Sequence, residues 1–128
     1  MLTIKNIQTE LHGIQLQYGY IIGRISPVNN HTNKSKTYSG YINPQNQLVN
    51  AASIFLQIDR VPERGMYEIS MLGENGIVVR HKYYKDMFKS KQHFVMILEK
   101  MVIQLVQQIE SVRAQKLQPY NTQSLAPF

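Results

Sequence analysis

Residues 66–84 read MYEISMLGENGIVVRHKYY, and the fold turns on how the two arms of this stretch pair. Two runs of alternating apolar residues flank Gly73-Glu74-Asn75-Gly76. A loop of Glu74-Asn75-Gly76 places Gly76 at the left-handed position that closes such hairpins. It sets Gly73 against Ile77, Met71 against Val79, Ile69 against His81 and Tyr67 against Tyr83. The other face then pairs Leu72 with Val78, Ser70 with Arg80 and Glu68 with Lys82, so acid meets base. A shorter Asn-Gly loop would set Met71 against Arg80 and Ile69 against Lys82. A buried face fixes register strongly, so the longer loop is expected. His81 then falls on the apolar face, where a core histidine is expected rather than a metal ligand.

Upstream, residues 14–25, IQLQYGYIIGRI, alternate with period two and predict a half-buried strand. Ile14, Leu16, Tyr18, Tyr20 and Ile22 share one face of it. Residues 27–35 follow as a polar loop opened by Pro27. KTYSGYIN at 36–43 predicts a second strand, in a hairpin with the first. Residues 44–52 are ambiguous between a short helical turn and a plain connection. SIFLQIDRV at 53–61 predicts a third strand with Ile54, Leu56 and Ile58 on one face. PERG at 62–65 is a turn, because Pro62 cannot continue a central strand.

Downstream, Ser90 is placed to cap a helix over 91–116. Phe94, Val95, Ile97, Leu98, Met101, Val102, Leu105, Val106, Ile109 and Val112 span about half of its circumference, wider than a one-sided stripe. Its length, about 39 Å at about 1.5 Å per residue, exceeds that of an ordinary strand. Surplus apolar surface asks for a partner, and a second copy of the chain is the simplest. The expected fold class is therefore α+β: an antiparallel sheet of about five strands, then one long C-terminal helix that mediates a homo-oligomer. Residues 1–116 are expected to form a single domain, with 117–128 as a loosely ordered tail.

At 128 residues and 43% hydrophobic content the chain suits one domain with a real core. No apolar run approaches the roughly 18 residues of a membrane span. The opening MLTIKNIQTELHG lacks a continuous apolar region and a small-residue cleavage site, so no signal peptide is expected there. With no cysteine, disulfides and thiolate metal sites are excluded, which fits a cytoplasmic setting. The wealth of Ile, Lys, Asn, Gln and Tyr suits an AT-rich bacterial or phage genome. Lys and Arg number 14 against 8 Asp and Glu, giving a net charge of +6. Such a chain tends to approach nucleic acid, nucleotides or acidic protein surfaces.

Little supports catalysis, and no enzyme activity, cofactor or metal is expected. His12, His31, His81 and His93 form no metal-ligand spacing. Asp59, Arg60, Glu63 and Arg64 around the 62–65 turn read as local ion pairs. GENG lacks the Gly-Lys-Ser/Thr ending of a phosphate loop.

The basic segments carry the functional expectation. Arg80, Lys82 and Tyr84 share the hairpin face opposite His81 and Tyr83. Cations that hold phosphates beside a ring that stacks a base suit single-stranded DNA or RNA. Arg24 and Lys36 extend the patch if their strands adjoin. Lys85, Lys89 and Lys91 surround the helix start, where positive charge opposes the dipole and free N–H groups can hold phosphate. The alternative is a small-ligand binder of viral or mobile-element anti-defence type. It would sequester an anionic nucleotide or cyclic nucleotide messenger through Arg60 and Arg64. A protein-interaction inhibitor is the third reading.

Overall fold

The computed structural model describes residues 10–28, 36–45, 52–61, 65–84 and 90–117. The central hairpin takes the register that its side chains demand. Strands β4 (Met66–Leu72) and β5 (Val78–Tyr84) pair Met71 with Val79, Ile69 with His81, Tyr67 with Tyr83 and Glu68 with Lys82. The loop closes through an Ile77 N–H donated to the Glu74 carbonyl (3.3 Å) and a Gly73 N–H donated to the Ile77 carbonyl (2.8 Å). Asn75 (φ 63°) and Gly76 (φ 75°) are both left-handed, which these two residue types adopt cheaply.

Three more strands complete an antiparallel meander in the order β1-β2-β3-β4-β5. They are β1 (Tyr20–Val28), β2 (Lys36–Pro44) and β3 (Ile54–Val61). Their inward residues line up in rows across the sheet. Ile25, Gly40, Leu56, Met71 and Val79 form one such row, and Tyr38, Ile58 and Ile69 another. Gly40 is required where β1 bulges between Ile22 and Ile25. A Cβ there would collide with the Arg24 carbonyl oxygen.

The long helix α1 (Lys91–Leu117) covers the inward rows. Ser90 caps it as expected: its Oγ accepts the His93 N–H at 3.1 Å, and its carbonyl accepts the Phe94 N–H at 3.2 Å. Phe94, Ile97, Leu98, Met101, Val102, Leu105 and Ile109, spaced by three and four, are buried against the sheet. Gln104 meets His81, and Arg113 meets Glu74 through two hydrogen bonds of 2.9 and 2.5 Å. The helix therefore runs from the Tyr84 end of β5 back to the β4–β5 turn. It touches that turn closely: a Cβ on Gly73 would lie 2.9 Å from Ile109 Cδ1.

The N-terminal strand differs from expectation. The alternation of 14–25 does not form one strand, because Gln17–Gly19 is a turn with Tyr18 at φ 65° and Gly19 at φ 76°. Residues 13–16 fold back onto the start of β1, with a Leu16 N–H donated to the Tyr20 carbonyl at 2.7 Å and a Gln15–Ile21 bridge. Beyond that bridge β1 is a sheet edge. Pro27 therefore lies inside the strand rather than opening a loop, since an edge position needs no N–H donor. His81 is on the helix side as expected, yet exposed. It sits on the edge strand and bonds the Gln104 side chain at 2.9 Å instead of entering the core. The 62–64 turn and the 118–128 tail lie outside the described residues.

Candidate nucleic-acid interface

Strand alternation sends the other half of the side chains to the face away from α1, and sheet register arranges them in rows. Tyr41, Phe55, Leu72 and Val78 are consecutive partners across β2, β3, β4 and β5. Ser26, Ser39, Gln57, Ser70 and Arg80 form the next row, and Val28, Thr37, Asp59, Glu68 and Lys82 the one after. An apolar row thus borders a hydroxyl-rich row, which borders a charged one.

Tyr41 and Phe55 pack edge to face, with ring centroids 5.4 Å apart and planes at 64°. Tyr41 keeps 53% of its surface exposed. Aromatic rings held this way on the middle strands of a sheet are a platform on which flat bases can stack. Asp59 opposes anions on this face but is saturated locally. Thr37 Oγ1 donates to its Oδ1 at 2.5 Å, and Gln57 Nε2 donates to its Oδ2 at 3.0 Å.

The expected site residues divide by layer. Arg80, Lys82 and Tyr84 are exposed on the outer face of β5. Arg80 Nε donates to Ser70 Oγ at 3.1 Å, and Lys82 lies 3.9 Å from Glu68, a loose surface pair. Arg24 is exposed at the β1 bulge, on the opposite edge of the same sheet. Four inter-strand steps put the two edges about 19 Å apart. Lys36 opens β2 in register with Arg60.

Lys91 does not join this surface. It pairs with Glu10 at 3.8 Å at the start of the helix. Lys85 and Lys89 lie outside the described residues, as does Arg64. Arg60 faces Tyr67 and Lys36 in the register, and its Nε is buried without a hydrogen-bond partner. Among the described residues no group of three or more His, Cys, Asp or Glu is placed to hold a metal ion, and no helix is long and apolar enough to cross a membrane.

Charge alone did not point to Tyr41 and Phe55. The usable signal was alternation: a strand that buries Ile54, Leu56 and Ile58 must turn Phe55 outward. No family model, curated protein or solved structure matches this chain.

Proposed function

We propose that the protein is a non-enzymatic binder of single-stranded nucleic acid, which lies across the outer face of the sheet. The observation that carries this reading is the Tyr41–Phe55 pair on the outer face of the middle strands, its tyrosine exposed and its phenylalanine half-buried, with Arg24 at one sheet edge and Arg80 and Lys82 at the other. Bases stack on the two rings while cations at either edge hold the backbone. Ser26, Ser39 and Ser70 offer hydroxyls between them. The test compares single-stranded with duplex oligonucleotides by fluorescence anisotropy over a salt series. Affinity for the single strand should exceed that for duplex and fall steeply with salt.

A second reading rests on Arg60 Nε, buried with no hydrogen-bond partner. An anionic nucleotide held there is the alternative ligand, with Arg64 beside it in sequence. A thermal-shift screen of mono-, di- and cyclic nucleotides separates the two: a shift lost in Arg60→Gln would favour the small ligand.

Self-association through the helix has a narrower basis than its sequence suggested, because most of its apolar arc is spent on the sheet. Met96 remains 43% exposed and Ile103, two turns on, is half-buried. A pairing of two copies through the helix centres on these residues. Light scattering decides it. A dimer mass that falls to 14.9 kDa in Met96→Glu supports the pairing, and a wild-type chain already at 14.9 kDa removes it.

A further inference from the structure

On the helix side, at the end of the sheet where the β4–β5 turn meets α1, lies a cleft of about 140 Å³. It is lined by Tyr18, Tyr20, Ile54, Glu74, Ile109 and Arg113, with Glu110 at its border. It sits on the layer opposite the Tyr41–Phe55 platform and shares no residue with it.

Three independent observations bear on the cleft. The first is Tyr20, which is 6% exposed. Its ring lines the cleft, and its hydroxyl stands close enough to Glu74 and Arg113 to feel both charges. Burial, reinforced by Glu74, raises its pKa above the ordinary tyrosine value, so it stays a donor.

The second observation is Tyr18. Its ring stands at the cleft with 55% of its surface in solvent, on a left-handed backbone (φ 65°, ψ 18°) that costs a tyrosine energy. The same backbone in the β4–β5 turn is occupied by Asn75 (φ 63°, ψ 18°), which tolerates it. Burial does not compensate the strain at Tyr18, so packing does not explain the residue.

The third is charge. Arg113 is engaged by Glu74 on one side and sits in the field of Glu110 on the other. Two carboxylates and one guanidinium leave the cleft locally negative in a protein that is otherwise basic. Rings and excess carboxylate together select a cation. Cavities of about 150 Å³ accept one benzene-sized ring.

We propose that this cleft binds a small organic cation with a single ring: an amine whose ammonium group meets Glu110 and the Tyr18 face while its body rests on Ile54 and Ile109. The Tyr20 hydroxyl supplies a further polar contact. The ligand class is set by the cleft and does not depend on the nucleic-acid reading.

The test titrates isotope-labelled protein by NMR with three probes of one shape: benzylamine, benzyl alcohol and benzoate. Benzylamine should give saturable shifts at the amides of Tyr18, Gly19, Tyr20, Gly73 and Glu74. Benzyl alcohol should bind about tenfold more weakly, the worth of the lost cation contacts, and benzoate should not bind. Tyr18→Asn keeps the turn and removes the ring. It should raise the Tm and weaken benzylamine about tenfold, a combination that a purely structural tyrosine would not give. Glu110→Gln should weaken benzylamine with the Tm unchanged, while Tyr41→Ala should leave it as in the wild type. Shifts that do not saturate, benzoate binding as tightly as benzylamine, or full affinity in Tyr18→Asn would overturn the proposal.

Discussion

Tyr18 and Asn75 occupy the same backbone conformation, φ 65°, ψ 18° and φ 63°, ψ 18°, and each precedes a left-handed glycine. Each turn is also bridged by the same hydrogen bond, from the N–H before it to the carbonyl after it: Leu16 to Tyr20 and Gly73 to Ile77. The chain thus builds one turn twice, once with a residue suited to it and once with a bulky ring. Tyr18→Asn should therefore stabilise the fold by about 1 kcal/mol. Urea unfolding with an unchanged m-value measures the gain. A loss of stability would mean that the Tyr18 ring supplies packing that outweighs its backbone strain.

The contrast between these turns also marks where sequence was legible. In 66–84 the turn residues, the apolar faces and the Glu68–Lys82 pair agree on one register, and that register is observed. In 14–25 apolar alternation runs unbroken through Tyr18 and Gly19, so the pattern hid a reversal that only Gly19 hinted at. Pro27 read as a loop because its edge position is a tertiary fact. The helix was legible from Ser90 onward, but how much of its arc the sheet consumes was not. For the candidate site, Arg80, Lys82 and Tyr84 were found from their shared face. Joining them to Tyr41, Phe55 and Arg24 required the strand order. Lys91 was drawn in by sequence proximity, whereas its partner is Glu10.

Gly73 brings the backbone of the β4–β5 turn against the helix. A methyl group there meets Ile109 Cδ1 at 2.9 Å and both Leu105 δ-carbons at 3.2 Å. Gly73→Ala should cost about 1 kcal/mol, the low end of overpacking, because the crowded atoms are ends of flexible side chains that can give way and its backbone is extended. Thermal unfolding checks it. The double variant Gly73→Ala with Ile109→Val should recover part of the loss. An unchanged Tm in the single variant would mean that the helix end yields freely.

Burial raises the pKa of both Tyr20 and Tyr83, with Glu74 adding to the effect at Tyr20. Below the ordinary tyrosine value of about 10 both folded and unfolded chains hold these protons, and the contribution to stability is complete. Above it the unfolded chain releases its protons first, so stability should fall as pH rises toward the folded-state values. Denaturant midpoints measured upward from pH about 9 should decline, and Tyr20→Phe should flatten the decline. An alkaline limb left as in the wild type by both Tyr20→Phe and Tyr83→Phe would remove the assignment.

The most direct measurement of the central claim is the affinity of a labelled single-stranded oligonucleotide for wild type, Tyr41→Ala and Phe55→Ala, at about 50 mM salt and above. Both rings are on the outer face of the sheet, but Phe55 is half-buried, so Tyr41→Ala should leave the Tm close to wild type and Phe55→Ala should lower it modestly. Stacking is worth about 1–3 kcal/mol per base, so each should weaken binding about tenfold or more. Arg80→Gln should weaken it less and reduce the salt dependence. Wild-type affinity in both aromatic variants, or no binding by the wild type at low salt, would contradict the account.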